Sequence, residues 1–193
     1  MAGAVSQAGF CIGYAWAARQ WGWAGSLLAA GAAFGATTLV PEAVGLSALA
    51  TFPVIIVVIV VAHLLMPAQP ARVVDRAEFP RWDLPALMLA ATAFVVGLTS
   101  AAPLLGSRLA GLIAPFPLFA TVLAAFAHRV QGRDAAVGVL RGLLLGLFAF
   151  ASFFLTVSLL LPTGIAVSFL APIAVGLAVQ AASLIAGRRL GLA

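Results

Sequence analysis

Apolar residues run through this chain in long blocks, and polar or charged residues gather in the short gaps between them. Seven blocks read as helices able to cross a membrane, at approximately residues 5–18, 22–40, 43–66, 84–102, 109–128, 136–161 and 163–187. A crossing helix needs about 20 mostly apolar residues, so the first block is short for one. The pattern predicts an all-α, polytopic transmembrane bundle with about seven spans in one domain.

Punctuation along the chain supports the division. In the first block Gly9 and Gly13 stand four residues apart, a spacing that lets another helix approach closely, and Gly31 and Gly35 repeat it in the second. Arg19, Trp21 and Trp23 mark an interface between lipid and water. Pro41-Glu42 predicts a turn, after which the third block carries Pro53, the β-branched run Val54 to Val61 and His63 at its end. Residues 67–83 are the one sizeable polar stretch, with Arg72, Asp75, Arg76, Glu78, Arg81 and Asp83 among prolines. They read as a surface loop, with Phe79 and Trp82 as interfacial anchors. Thr99-Ser100 closes the fourth block before Pro103. Arg129, Arg133 and Asp134 predict a loop before the sixth, which opens on Gly138, Gly142 and Gly146. The seventh contains Pro172, Gln180 and Ser183 and ends at Arg188-Arg189.

The fifth block departs from the pattern, because Pro115 and Pro117 lie near its middle. Each removes a backbone donor and pushes the preceding residue out of helical geometry. At membrane depth the freed groups need partners in the protein or in a water-filled cavity, so a broken span is a candidate binding element.

Composition narrows the class. Of 193 residues, 64% are hydrophobic and 8% charged, and the mean hydropathy is +1.19. Ordinary soluble domains are about 25% charged. The net charge of +5 comes from ten arginines and no lysine, each near the end of an apolar block, which points to topology and away from nucleic acid. With seven spans, nine arginines fall on one side and only Arg108 on the other. That bias places the N-terminus outside, and the C-terminus and the 67–83 loop in the cytoplasm, of a bacterial inner membrane. The first residues lack the basic segment and cleavage site of a secretory signal. An outside N-terminus would then be natural if the chain were the later part of a longer protein. Cys11, the single cysteine, reads as a packing residue.

Two internal likenesses are visible. Gly35-Ala36-Thr37-Thr38-Leu39-Val40-Pro41 resembles Gly97-Leu98-Thr99-Ser100-Ala101-Ala102-Pro103, and Phe52-Pro53 with Ala62-His63 recurs as Phe116-Pro117 with Ala127-His128. Blocks two and three would then be a copy of four and five in the same orientation. Gly9-x-x-x-Gly13 also matches Gly142-x-x-x-Gly146, which would pair blocks one and six in opposite directions. The span around Ala114-Pro115-Phe116-Pro117, followed by Phe126-Ala127-His128-Arg129 and Leu140-Arg141-Gly142-Leu143-Leu144-Leu145-Gly146, resembles a set of uncharacterised bacterial multi-pass inner-membrane proteins. Longer members carry extra N-terminal spans with another Gly/Pro-interrupted helix. The resemblance implies that two broken helices face each other in a full-length protein. It implies no substrate and no catalytic residues.

The candidate site residues each carry two readings. Pro115, Phe116 and Pro117 form either a solute-binding break, with Thr99, Ser100 and Thr121 as donors, or a kink that neighbouring helices satisfy. His128 is either a proton-responsive gate or an interfacial residue beside Arg129. Arg141 either snorkels to the surface or enters the protein one turn into block six. Gln7, Tyr14, Gln180 and Ser183 are accounted for by hydrogen bonds between helices. Gly9, Gly13, Gly138, Gly142 and Gly146 are helix-packing positions.

No carboxylate lies within a predicted span, which argues against acidic proton relays and intramembrane metalloproteases. Two distant histidines and one cysteine make no recognisable metal site, and no cofactor motif is present. The expectation is a non-enzymatic integral membrane protein that transports a small solute around the broken helix. The alternative is a non-transporting subunit or assembly factor that binds a partner through its glycine-spaced faces. So few helices make a homodimer reasonable in either case.

Overall fold

The structure, a computed structural model, describes residues 3–44, 48–67 and 116–189, with scattered positions between 85 and 100. Long runs of Ala, Leu, Val and Gly offer the backbone no side-chain partners, so its polar groups are satisfied within each segment by helix formation. Among the described residues there is no strand. The elements are α1 (Gly3–Ala17), α2 (Trp23–Val44), α3 (Ala48–Leu65), α4 (Leu118–Gln131), α5 (Arg133–Leu160), a 3₁₀ turn (Leu161–Thr163) and α6 (Ile165–Arg189).

The helix α1 lies against α2, α3 and α5, and α5 in turn carries α3, α4 and α6. Small residues explain why α1 and α2 come so close. A Cβ added at Gly13 would sit 2.7 Å from Cβ of Ala33 and 3.2 Å from the carbonyl oxygen of Ala29. One added at Gly9 would meet Thr37 Oγ1 at 2.5 Å. The hydroxyls of Ser6 and Thr38 lie 2.9 Å apart across the same interface. Such a bond within a membrane contributes only about 0.6 kcal/mol, so backbone proximity and packing hold the pair. The core continues through Phe10, Tyr14, Ile55, Ile59, Leu140 and Leu144, all fully buried.

Contacts fix the helix directions. Trp16 Nε1 donates to the carbonyl of Leu65 at 3.1 Å, bringing together the C-terminal ends of α1 and α3. Tyr14 reaches the C-terminal half of α4, and Arg141 of α5 donates to the carbonyl of Pro67, just past α3. Gly176 faces Phe153, and Gly146 faces Gln180, so α6 runs back along α5. Arg19, Arg129, Arg133, Arg141 and Arg189 therefore share one end of the bundle.

Two helices, α5 and α6, are long and apolar enough to cross a membrane; over their described parts α2, α3 and α4 are apolar but shorter. Seven spans are thus expected, and six α-helices are seen among the described residues. The fourth block lies largely outside them, although its described positions, including Thr99 and Ser100, are helical. The polar stretch beyond Pro67, and the fifth block before Phe116, also lie outside.

Local expectations need two corrections. No turn forms at Pro41-Glu42, because α2 continues to Val44; a proline near a helix C-terminus removes one intrahelical bond without ending the helix. Arg133 and Asp134 do not begin a loop but occupy the first turn of α5, where the carboxylate faces the positive end of the helix dipole. The connection from α4 is the single residue Gly132, at φ +92 and ψ 176. That region is essentially open to glycine alone.

Candidate functional site

At the prolines the described backbone, from Phe116 onwards, forms a defined turn. Pro117 has φ −80 and ψ 71, and the amide of Leu118 donates to the carbonyl of Phe116 at 2.9 Å. This is an inverse γ-turn, whose ideal angles are about −75° and +65°. Helix α4 starts directly after it. The amide of Thr121 donates to the carbonyl of Pro117 at 2.8 Å, and Thr121 Oγ1 donates to the same oxygen at 2.9 Å. The turn therefore satisfies the carbonyls of Phe116 and Pro117. Pro115 lies outside the described residues.

Phe116 leaves this turn and enters the core. Its ring meets Phe10 of α1 edge-on, with centroids 5.7 Å apart, and Phe34 of α2 at 5.1 Å. Edge-to-face pairs of this kind contribute about 0.5–1.5 kcal/mol each beyond burial. Phe116 thus locks the start of α4 against α1 and α2, and Pro117 is buried beside it.

Beyond the turn an open groove of about 240 Å³ runs between α2 and α4. It is lined by Trp23, Leu27, Thr121, Ala125, Phe126 and Arg129. Thr121 gives its proton to Pro117 and keeps its oxygen as an acceptor towards the groove. Arg129 lies at the end where the bundle gathers its arginines. Thr99 and Ser100 are exposed on their own helical segment, and the chain joining them to Phe116 is outside the described residues.

His128 follows Thr121 by seven residues, so the two lie within about 20° of each other round α4; it is half-buried and meets Tyr14 of α1. The Tyr14 hydroxyl is 3.2 Å from His128 Nδ1 and 3.3 Å from the carbonyl oxygen of Ala124. One hydroxyl proton cannot serve both. The arrangement that satisfies all three groups has Nδ1–H donating to the Tyr14 oxygen while the hydroxyl donates to Ala124. It survives protonation of the imidazole, because Nδ1 already carries its hydrogen. A proton-responsive role for His128 would have to act through its other nitrogen.

The other singled-out positions divide. Gly9 and Gly13 meet α2, whereas Gly31, Gly35 and Gly142 face open space and Gly146 meets only Gln180 Oε1, at 3.9 Å. Gly138 is partly buried in α5. Arg141 is partly buried and tied to the end of α3: its Nη2 donates to the Pro67 carbonyl at 2.8 Å. Cys11 is buried with a free thiol. Among the described residues no three metal-ligating side chains gather.

Sequence reasoning missed Phe10, Phe34, Trp23 and Leu27 as neighbours of the break. The one available signal was that Phe10 and Tyr14 stand one turn apart in α1, on a face that continues from Gly9 and Gly13.

Fold and site define an all-α protein with two helices fit to cross a membrane and a proline turn bordering an open groove. Compared with protein-family models, curated proteins and solved structures, the chain matches none.

Proposed function

We propose that this chain is a seven-span integral protein of a bacterial inner membrane, N-terminus outside, that carries a small solute along the groove between α2 and α4. On this reading it is not an enzyme, and its partners are the bilayer and a second copy of the chain. The groove at Thr121 carries the reading: it opens directly after the proline turn, has mainly apolar walls and ends at Arg129. A solute with an apolar body fits those walls, with a donor for the Thr121 oxygen and an acceptor or anionic end for Arg129. Membrane insertion is supported by α6, whose Ile165, Leu170 and Leu177 are 84%, 68% and 67% exposed. Such a surface is stable only against lipid or another protein. Helix α4 has 14 residues, a length of about 21 Å, so it needs chain before Pro117 to complete a span.

Cysteine accessibility tests the reading. Single cysteines at Thr121, Ala125 and Leu27, in a Cys11→Ala background, should react with a membrane-impermeant thiol reagent in intact membranes. Cysteine at Phe116, wedged between two rings, should be protected. Protection at all three groove positions, with a labelled loop control, would overturn solute passage here.

A specific observation favours the second reading, a non-transporting subunit. The carbonyls of Phe116 and Pro117 are already satisfied, and α6 exposes a row of large apolar side chains, among them Ile165, Leu170 and Leu177. Uniform protection, together with co-purification of a second membrane protein lost in Leu170→Arg, would establish it.

A further inference from the structure

The groove between α2 and α4 has two unlike ends. Gly9 meets Thr37 and Gly13 meets Ala33, so α2 runs against α1, while Phe10 meets Phe116 and Tyr14 meets His128, so α4 runs with it. At one end the ring pair Phe34 and Phe116, with centroids 5.1 Å apart, joins the two helices. At the other, Trp23 opens α2 and Arg129 stands in the last turn of α4.

On α4 the lining forms two stripes at four-residue spacing, Thr121-Ala125-Arg129 and Val122-Phe126. Eight residues separate Thr121 from Arg129, about 12 Å along the axis. Between them the walls are apolar, with an aromatic ring from each helix, Trp23 and Phe126. Thr121 Oγ1 gives its proton to Pro117 and keeps an acceptor. Arg129 is exposed, and among the described residues the one salt bridge joins Arg133 to Asp134, so the Arg129 guanidinium has no carboxylate.

These groups set the charge and the donors of an occupant. One guanidinium, with no second cation in the lining, balances one negative charge, and its planar fork meets a carboxylate with two hydrogen bonds. A phosphate monoester carries about −1.5 to −2 near neutral pH and would stay unbalanced. An acyl chain would leave the Thr121 oxygen without a donor. Rings on both walls suit a flat aromatic body, which pairs with them edge-on or offset.

We propose that the groove binds an aryl monocarboxylate with a hydroxyl at its far end, the carboxylate on Arg129 and the hydroxyl donating to Thr121 Oγ1. This names the substrate class of the groove already read as the solute path, and it rests on that reading.

Calorimetric titration of the full chain in a neutral detergent tests it, with para-hydroxyphenylpropionate as the probe. The acid should bind. Its methyl ester should bind about tenfold more weakly, because the charged pair is lost, and phenylpropionate, which lacks the hydroxyl, about threefold more weakly. Arg129→Gln, at an exposed position, should weaken the acid about tenfold and leave the ester unchanged. Thr121→Val should erase the difference between the acid and phenylpropionate. Leu27→Trp, which fills the groove and spares both polar groups, should abolish binding, so the proposal stays testable even if Thr121→Val disturbs the turn. No binding of the acid, equal binding of the ester or of phenylpropionate, or an undiminished response in Arg129→Gln or Leu27→Trp would overturn it. Displacement of the acid by phosphatidylglycerol or inorganic phosphate at lower concentration would overturn it as well. Cysteine accessibility separates the two failures. Labelled groove cysteines without binding of the acid defeat only this proposal, whereas protected groove cysteines defeat the solute path beneath it.

Discussion

Seven of the 15 residues of α1 are buried, among them Phe10, Cys11 and Tyr14. Among the described side chains of α6, burial is confined to Ser168, Pro172 and Gly187. Both helices are mainly apolar, with Ala, Gly, Val and Ile in each, so apolar content does not decide which becomes the centre. Residue size does. Gly9 and Gly13 let α1 approach α2 to backbone contact, while Ile165, Leu170 and Leu177 give α6 a bulky rim. On the proposed membrane location, the surroundings are as apolar as the side chains, and burial would follow shape because leaving lipid gains little.

The largest expected effect that tests this contrast is at Gly13. Gly13→Leu forces a side chain against Ala33 Cβ and a backbone carbonyl, neither of which can swing away, and should cost about 3 kcal/mol. Unfolding in detergent reads it, and an unchanged midpoint would mean that α1 is not packed on α2.

Next comes Gly132, where a Cβ meets no atom but the backbone is one that L-residues avoid. Gly132→Ala should destabilise by about 2 kcal/mol through the backbone alone. Its control is Gly142→Ala in the middle of α5, which also meets nothing and should be neutral or stabilising by up to about 1 kcal/mol. Equal effects at the two sites would remove the strain argument.

Smaller changes compare the polar anchors of the two helices. Tyr14→Phe removes the link from α1 to Ala124 and His128. Ser168→Ala removes the hydroxyl that lies 2.6 Å from the carbonyl oxygen of Leu160 and 2.7 Å from that of Gly164. Each should cost about 1 kcal/mol. Because the inferred Tyr14 pairing holds with the imidazole neutral or charged, the loss in Tyr14→Phe should be the same at pH 5.5 and pH 8. A loss that differs by more than a factor of two between those conditions would show that His128 protonation changes the pairing.

The smallest effect belongs to Leu170→Ala and Leu177→Ala on the rim of α6, which should stay within about 0.5 kcal/mol in detergent. A larger loss at either would reveal a self-association face, and cross-linking of the purified protein would check it.

The helical class was legible because long apolar blocks leave the backbone no partner but itself, and irregular backbone at Pro117 was legible because two prolines within three residues remove two donors close together, whereas the lone Pro53 and Pro172 stay inside their helices. The pairing of helices was not. Glycine spacing says that a face permits close approach, but Gly9 and Gly13 found Ala29, Ala33 and Thr37 in the next helix, whereas the matching Gly142 found open space. Tyr14 and His128 lie 114 residues apart, and nothing in either neighbourhood marks the other. The turn expected at Pro41 failed because a proline near the last turn deprives a helix of one bond only. The loop expected at Arg133 failed because glycine at position 132 compresses a connection to one residue, and the charges that suggested a loop instead occupy the opening turn of α5.

That one-residue connection also governs how the bundle can deform. A hairpin with so short a link has no slack for one helix to slide past the other by a turn, so α4 and α5 travel as a single lever. Any widening of the groove between α2 and α4 must then carry α5 with it.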